Sequence, residues 1–497
     1  MTKDDDSASP SAQVPLSLVD RAWLRMDRPS NLMMICGVMM FAAPLSLARL
    51  KQTIAERLLC FHRFRQRVVK VDGVPCWQTD AAFALDWHVR RIALPAPGGG
   101  AELADVASDL ISTALDPDKP MWQFHLLDGA DGSCALVLRI HHCYGDGFAL
   151  SHVMACLTDL DPAHPALPAP DPDADQRPHS ALERILGQAG ESAGDAVRLA
   201  GALLGAGLDW AGNPARARGQ LAAGLDYARQ LAAIAAMTQD APTRLKGPLG
   251  GMKRVAWAAP LALAEVKAVA AAHGCSVNDV LVACVAGALR GYLLQQGDAV
   301  AGVEVRALVP VNLRAPGPLT ELGNHFGLVF LPLALGLDDP LARLRAVGAA
   351  MLGLKGSHQA PAALGILYGL GLAPEAIKEG TVRALAANAS LVITNVYGTP
   401  EARYLAGQRI ARQLFWVPQS GGIGLGVSIL SYAGQVDFGI VSDLARVPDP
   451  DALAQRCVDE FHTLLMYTLM APAAESKGPR PPRRRGGVHS GRGRRVS

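Results

Sequence analysis

Two adjacent histidines and a nearby aspartate stand at the end of an apolar run of the chain. The segment reads LRIHHCYGDGF over residues 138–148 and contains His141, His142 and Asp146. The run CALVLRI before the histidines is typical of a buried strand, and GFALSHVMACLTDL after them has a helical pattern. A strand, a glycine-containing loop and a helix form an open corner, and such corners place reactive groups at the mouth of a cleft.

The chemistry that this segment could perform is general base catalysis, because a neutral imidazole can accept a proton near pH 7. The chain has no GxSxG around a serine, and no cysteine stands out as activated. A base without its own nucleophile indicates that a substrate hydroxyl or amine attacks. No metal site is expected, because adjacent side chains on a strand point to opposite faces and no third ligand follows. A structural pair of histidines stays open.

The bulk composition indicates a two-domain protein with a mildly acidic body. The chain has 497 residues, which suits two large domains, and half of them are hydrophobic. Mean hydropathy is +0.18. Residues 476–497 hold eight Lys or Arg and no acid, so removing these charges from the total of +2 leaves −6 on residues 1–475. Nothing in this balance predicts nucleic acid as a partner.

The cysteines and the apolar runs indicate where in the cell the protein is expected. The nine cysteines are scattered without a CxxC spacing, which predicts reduced core thiols in a cytoplasmic protein. The N-terminus MTKDDDSASPSAQ is too polar for a secretory signal. The apolar stretches at 32–45 and 364–374 fall short of the roughly 20 residues that span a bilayer. We therefore expect a soluble or peripheral protein.

The pattern along the chain predicts two α/β lobes joined by a linker. The stretch 161–178 holds six prolines and four acids, a density that no regular element tolerates. The Ala- and Leu-rich helices predicted in 180–240 either pack on the body or lie on a lipid surface. The predicted organisation is a disordered N-terminus (1–13), an N-terminal lobe (14–160), a Pro-rich linker with crossover helices (161–249), a C-terminal lobe (250–472) and a basic disordered tail (473–497).

Within the second lobe, two helices and then a series of strands are predicted. The helix LAEVKAVAAA ends at His273-Gly274, and VNDVLVACVAGALRGYLLQQ follows it. Ser276 and Asp279 fit the capping-box spacing at the start of this helix, whereas Asn278 has no such role. The predicted strands are VEVRALVPV, FGLVFLPLAL, ASLVITNV, and a hairpin of IGLGVSILSY and QVDFGIVSD around Ala433-Gly434.

The segment HHCYGDG matches the HHxxxDG motif, and the chain resembles the bacterial wax ester synthase/diacylglycerol acyltransferase family. Further blocks resemble that family in its order, from about residue 15 to 470. They are PLSLVDRAWLRMDRP, FALDWHVRRIALPAPG, ALDPDKPMWQFHLLDG, SVNDVLVACVAGALRGYL, VPVNLR, LGNHFG, ITNVYGTP and LSYAGQVDFGIVSD. Two blocks depart from the family pattern: Pro120-Met121-Trp122 replaces Pro-Leu-Trp, and Asn395-Val396-Tyr397-Gly398-Thr399-Pro400 replaces Asn-Val-Pro-Gly-Pro.

The resemblance implies a fold, a reaction and partners. The fold is α/β, with two chloramphenicol-acetyltransferase-like lobes and the active site in a tunnel between them. The reaction is acyl-CoA-dependent esterification of diacylglycerol or long-chain fatty alcohols, giving triacylglycerol or wax ester. Acyl-CoA is a co-substrate and no cofactor is expected. The implied location is cytoplasmic, peripheral on the inner membrane or on lipid inclusions.

The resemblance also implies roles for individual residues. His142 is the general base, and His141 is auxiliary or structural. Asp146 either orients the imidazole or, as in folds of this kind, turns away to pair with Arg314. Gly147 allows close backbone approach or a positive φ, or is a plain turn glycine. Asn278 could donate to the tetrahedral oxyanion from the positive end of its helix, and Asp279 supports the helix start.

Two other functions stay open at this point. One is a condensation-type acyltransferase of the same fold that takes acyl groups from a carrier protein; the order of the blocks over the whole chain argues against it. The other is a non-enzymatic lipid-surface protein with a degenerate site. The presence of His142, Asp146 and Asn278 argues against that function.

Overall fold

The computed structural model describes residues 13–163 and 229–470, apart from residues 42, 130–131, 231, 235, 315–318, 320–321, 356, 358 and 420. The predicted N-terminal segment, most of the linker with its crossover helices, and the basic tail lie outside the described residues. The lobe boundaries near residues 160 and 250 therefore stay predictions.

The described residues form sixteen strands and eleven α-helices, and residues 229–230 and 232–234 are also helical. The strands are β1 (Val14–Pro15), β2 (Met34–Phe41), β3 (Gln66–Val71), β4 (Val74–Thr79), β5 (Val89–Ala93), β6 (Trp122–Asp128), β7 (Cys134–His141), β8 (Lys253–Trp257), β9 (Leu261–Ala262), β10 (Glu304–Asn312), β11 (Phe326–Ala334), β12 (Leu391–Tyr397), β13 (Tyr404–Leu405), β14 (Gln408–Trp416), β15 (Leu425–Tyr432) and β16 (Gln435–Asp443). The helices are α1 (Leu18–Met26), α2 (Leu47–Thr53), α3 (Leu85–His88), α4 (Gly100–Ser112), α5 (Gly147–Leu157), α6 (Leu263–Ala272), α7 (Val277–Gln295), α8 (Pro340–Lys355), α9 (Gln359–Leu372), α10 (Glu375–Ala387) and α11 (Pro450–Met470).

The strands form two large sheets and one small sheet. The N-terminal sheet has the order β13-β14-β2-β7-β6-β5, and the C-terminal sheet has the order β11-β10-β12-β15-β16-β8 with β9 paired to β16. Strands β1, β4 and β3 form the small sheet. The strands and helices predicted from the apolar patterns are present wherever the chain is described, whereas the helices predicted in 180–240 lie mostly outside the described residues. The predicted hairpin joins β15 to β16, and Ala433 and Gly434 have φ values of 49° and 81°.

Two strands from the second half of the chain, β13 and β14, lie in the N-terminal sheet. Strand β14 pairs antiparallel with β2, from Ile410 opposite Phe41 to Trp416 opposite Cys36. The N-terminal core also takes in Phe326, Leu367 and Tyr432 from the second half. The two halves of the sequence therefore share one sheet and one core, which the sequence pattern did not predict.

Helix α7 is the centre of the C-terminal core. Among the described helices it is the one with the length and composition of a membrane span, so the expectation based on the stretches 32–45 and 364–374 overlooked it. Two thirds of its apolar window is buried, however, and Val280, Cys284 and Leu289 lie inside the core cluster. Burial against protein accounts for its apolar composition. All nine cysteines of the chain are free, as predicted, and seven are buried.

Candidate active site

The two histidines lie where β7 leaves the N-terminal sheet. All eight residues of β7 are buried, and a 3₁₀ turn, His142–Tyr144, connects the strand to Gly145 and then to α5. The Tyr144 hydroxyl donates to the backbone oxygen of Gln66 at 2.6 Å and accepts from the backbone N–H of Met121 at 2.9 Å. These bonds fix the turn to the sheet before any substrate binds.

His142 is held through its backbone and by an aromatic ring. Its N–H donates to the Met33 oxygen at 2.8 Å, and its oxygen accepts from Asn324 Nδ2 at 2.8 Å. The imidazole stacks on the Trp23 indole with ring centroids 4.0 Å apart and planes 7° apart. Nδ1 is buried and has no hydrogen-bond partner among the described residues. The enclosure of Nδ1 leaves Nε2 as the candidate nitrogen for reaction with a substrate.

Burial keeps the His142 imidazole neutral. It lowers the pKa of His142 to about 4, although the negative charge of Asp146 acts in the opposite direction. At neutral pH the ring is therefore unprotonated and can accept a proton.

His141 occupies a different environment from its neighbour. Its Nδ1 accepts from the Cys143 backbone N–H at 3.2 Å, so the ring proton is on Nε2, which lies 3.9 Å from Asp27 Oδ2. Burial lowers the pKa of His141 to about 3. Asp27 in turn accepts from the Met33 backbone N–H at 2.7 Å. These contacts place His141 beside the segment that joins α1 to β2, where it suits a supporting role.

Asp146 anchors the loop, and the structure contains the predicted ion pair. Its Oδ2 accepts from Arg314 Nη2 at 2.9 Å and from the His325 backbone N–H at 2.8 Å. Its Oδ1 accepts from the Ala149 backbone N–H at 2.8 Å and caps α5. Both carboxylate oxygens are thus engaged away from the imidazole. Of the two roles open for Asp146, the geometry supports the structural one.

The glycine that lies close to other backbone in this loop is Gly145 and not Gly147. Gly147 is the first residue of α5, does not have a positive φ, and has open space where a Cβ would stand. The expectation of close approach or a positive φ at Gly147 was therefore wrong. At Gly145 a Cβ would lie 3.3 Å from the Ala149 Cβ and 3.7 Å from the Gly323 nitrogen. Gly145 also forms a bridge with Gly323 in the second half of the chain.

The start of α7 has the predicted capping box. The Ser276 N–H donates to Asp279 Oδ2 at 2.8 Å, and the Asp279 N–H donates to Ser276 Oγ at 3.1 Å. Asn278 accepts from Asn395 Nδ2 at 2.6 Å. In the described part of the chain, no hydrogen bond joins Asn278 to residues 141–146. Its predicted oxyanion role stays a prediction.

Sequence reasoning missed four residues that build the site: Trp23, Asp27, Asn324 and Tyr144. Trp23 and Asp27 come from the block WLRMDRP, and Asn324 comes from LGNHFG. Asn324 bridges the halves, because its Nδ2 also donates to Asp20 Oδ1 at 2.7 Å. Such contacts join residues far apart in the chain and leave no periodic or spacing signal. Within the described ranges there is no group of three or more His, Cys, Asp or Glu side chains that could hold a metal ion.

Two family models match the chain. The wax ester synthase/diacylglycerol acyltransferase catalytic domain matches residues 16–281. The C-terminal domain of the same family matches residues 322–465.

Known proteins are similar over nearly the whole chain. A Mycobacterium tuberculosis H37Rv protein bearing the name diacylglycerol O-acyltransferase is 32% identical over 464 residues, covering 90% of this chain and 98% of the relative. The wax ester synthase/diacylglycerol acyltransferase of Marinobacter aquaeolei VT8 has a TM-score of 0.66 at 21% identity, covering 92% of this chain and all of that structure.

The fold is shared more widely than the family. The first condensation domain of the calcium-dependent antibiotic synthetase has a TM-score of 0.57 at 15% identity, covering 94% of this chain and 98% of that domain. These structures confirm the predicted two-lobed α/β fold, whereas the family models and the sequence relatives separate this chain from the condensation domains. The chain belongs to the wax ester synthase/diacylglycerol acyltransferase family and is an acyltransferase.

Proposed function

We propose that this acyltransferase uses acyl-CoA to esterify diacylglycerol or a long-chain alcohol, with His142 as the general base. The observation that carries the proposal is a buried, neutral His142 whose Nδ1 is enclosed, at the point where loops of both halves meet. The family membership indicates an acyl donor and a diacylglycerol or alcohol acceptor, and the CoA thioester as donor is our proposal.

The reaction needs one proton acceptor that later returns the proton. Nε2 of His142 takes the proton from the acceptor hydroxyl while the oxygen attacks the thioester carbonyl carbon. The tetrahedral intermediate then collapses and the C–S bond breaks. The thiolate takes the proton back from the imidazolium, giving an ester and free CoA. General base catalysis of this kind contributes about 10²- to 10⁴-fold. No electron transfer occurs in these steps, so the reaction needs no redox cofactor, and we propose that it proceeds without a metal.

Asn278 is the proposed donor to the tetrahedral oxyanion. It is the second residue of α7, where backbone N–H groups and the helix dipole favour negative charge. Asn395 Nδ2 donates to its side-chain oxygen, so the Asn278 NH₂ group points elsewhere and is left to donate.

The acceptors are lipids, so we propose a cytoplasmic enzyme that contacts the membrane or lipid inclusions peripherally. The basic stretch 476–497 would be attracted to an anionic lipid surface. Deleting it should weaken salt-sensitive binding to anionic vesicles while leaving turnover of a detergent-solubilised alcohol unchanged. Loss of that turnover would mean that the tail is part of the active structure.

A substrate panel tests the proposed reaction. Purified protein is incubated with labelled palmitoyl-CoA and, separately, with a palmitoyl group on a carrier protein. Each donor is offered to diacylglycerol, hexadecanol and a primary amine. We expect ester formation from the CoA thioester and either lipid alcohol. Activity restricted to the carrier-bound donor would replace this proposal with the condensation-type function, and no transfer from either donor would support a non-enzymatic lipid-surface protein.

A further inference from the structure

Trp23 is the side chain most closely aligned with the His142 ring. It lies on α1, it is buried, and its indole is almost parallel to the imidazole, with 4.0 Å between the ring centroids. Phe326 packs beside both rings, with its centroid 5.8 Å from that of Trp23 and 5.7 Å from that of His142. Two rings from distant parts of the chain therefore limit how the imidazole can turn.

The usual means of orienting a catalytic histidine is not used here. In a triad a carboxylate accepts from the second ring nitrogen and fixes the tautomer. Nδ1 of His142 has no hydrogen-bond partner within the described ranges, and the Asp146 oxygens are taken by Arg314 and by two backbone N–H groups. Asn324 Nδ2 donates to the His142 backbone oxygen, and the Asn324 side chain is also one of the groups that, against the larger effect of burial, raise the pKa of the His142 ring. Of the two aromatic rings that contact the imidazole, Trp23 is the closer and the nearly parallel one, so stacking on Trp23 sets the plane of the ring more directly than Phe326 does.

We propose that Trp23 is the positioning residue of the His142 base, holding the imidazole in plane by stacking and stabilising the imidazolium that forms when the acceptor hydroxyl loses its proton. This inference rests on the proposed role of His142 as the base.

The physical basis is the negative face of the indole. A cation over the face of Trp is attracted by the ring quadrupole, and the attraction is larger where water is excluded. His142 is neutral before the reaction and cationic after the proton transfer, so the attraction acts mainly on the charged state. The Trp23 N–H is buried without a partner in the described part of the chain, so the face, not a hydrogen bond, is what Trp23 contributes.

Other charged and titratable groups lie near the His142 ring. His141 precedes His142, Asp146 lies at the start of α5 with Arg314, and Asp20 of α1 reaches it through Asn324. None of these is altered by changing Trp23, so the variants isolate the contribution of the indole.

The test compares Trp23→Leu, which removes the ring face, with Trp23→Phe, which retains one. We expect Trp23→Leu to lower kcat about 10- to 30-fold, since the loss of a cation–π contact from which water is excluded has an effect of about this size. KM for palmitoyl-CoA and for hexadecanol should change less than about 3-fold, because neither substrate is bound by the indole in this account. Trp23→Phe should recover most of kcat. Trp416→Leu is the matched control, because Trp416 is also buried, its N–H has no partner among the residues that the structure describes, and its ring contacts Trp257.

A second comparison separates positioning from a purely structural role. In a His142→Ala background, Trp23→Leu should cause no further loss of residual turnover, because the residue through which it acts is gone. An equal fold-loss in both backgrounds, or an unchanged kcat in Trp23→Leu, would overturn the inference. Near-normal turnover of His142→Ala would instead refute the proposed base, so the two failures are distinguishable.

Fluorinated tryptophan provides the measurement if Trp23→Leu does not fold. Ring fluorination weakens the negative face while nearly preserving shape. Protein labelled throughout with increasingly fluorinated tryptophan should lose kcat in step with fluorination, and the same labelling of Trp23→Phe should not. Equal sensitivity of the two proteins would overturn the inference.

Discussion

The His142 ring is enclosed by Trp23, Phe326 and the backbone of its own turn. Burial disfavours the charged imidazolium, and both histidines are buried. The pKa of His142 is therefore lowered to about 4 and that of His141 to about 3. A base with a low pKa is a weaker proton acceptor, but it stays available over a wider range of pH. Both the activity and the stability of the protein should therefore depend on pH in a way that reflects these lowered pKa values.

The activity should not follow an ordinary histidine titration. An unburied histidine protonates near pH 6.5. Since the pKa of His142 is about 4, kcat/KM should be level from pH 8 to about pH 5.5 and fall only below that. The measurement is kcat/KM on a detergent-solubilised alcohol across this range, with unfolding checked at each pH. A fall centred near pH 6.5 in folded protein would contradict the buried environment.

The stability should fall with acid. The folded-state pKa values of His141 and His142 lie below the unfolded value of about 6.5, so below that pH the unfolded chain binds more protons. The contribution to stability is present above pH 6.5 and is lost as pH falls through about 4 for His142 and about 3 for His141. His141→Gln cannot protonate, so its free energy of unfolding should fall less steeply, by up to about 1.4 kcal/mol per pH unit. Urea titrations at pH 7, 6 and 5 measure this, and identical slopes would contradict it.

At the scale of elements, the loop between β7 and α5 is held by the opposite half of the chain. Asp146 caps α5 and binds Arg314, and the side chains of this ion pair are 5% and 11% exposed. Removing one member of such a pair leaves an uncompensated buried charge. The histidines are therefore positioned by an anchor that also contributes to folding.

Breaking this anchor should lower both stability and activity. Asp146→Asn, which can still cap a helix, and Arg314→Met should each lower the free energy of unfolding by about 3–5 kcal/mol. The double variant should lose less than the sum of the two. Arg345→Met is the control, because its pair with Asp339 is largely exposed and is worth at most about 1 kcal/mol. Strict additivity in urea titrations would show that Asp146 and Arg314 do not interact.

Local signals were enough to predict most elements and part of the site. The apolar patterns predicted β7, α5 and the hairpin at Ala433, and the Ser276 spacing predicted a real capping box. The ion pair of Asp146 with Arg314 followed from the family resemblance and not from spacing. Trp23 and Gly145 were missed because stacking and close backbone approach depend on tertiary contacts, and Gly147 was misjudged because helix position, not the motif, sets its φ.

At the scale of the whole molecule, the two halves complete each other. Strand β14 fills the edge of β2, and α9 packs on α1, so the N-terminal sheet lacks part of its structure without the second half. The pattern of one half could not reveal this, because strand pairing between residues as far apart as Ile410 and Phe41 leaves no local signature. The site is also built from both halves, since His142 comes from one half and Asn324 from the other.

The N-terminal half should therefore not fold alone. Expressed as residues 1–163, it would leave β2 unpaired along one edge and expose core side chains that Phe326 and Leu367 cover. We expect aggregation or a disordered circular-dichroism spectrum, and recovery when residues 164–497 are co-expressed. A cooperative thermal transition of the isolated half would show that its fold does not require β14.

The central claim is that His142 is the base, and steady-state ester formation by single variants tests it most directly. His142→Ala, His141→Ala and the unaltered enzyme are compared with palmitoyl-CoA and hexadecanol, after matched circular-dichroism spectra and unfolding midpoints show that each is folded. If His142 is the base, His142→Ala should lose at least about 10²-fold in kcat, and His141→Ala should lose less. Near-normal turnover by a folded His142→Ala protein would contradict it.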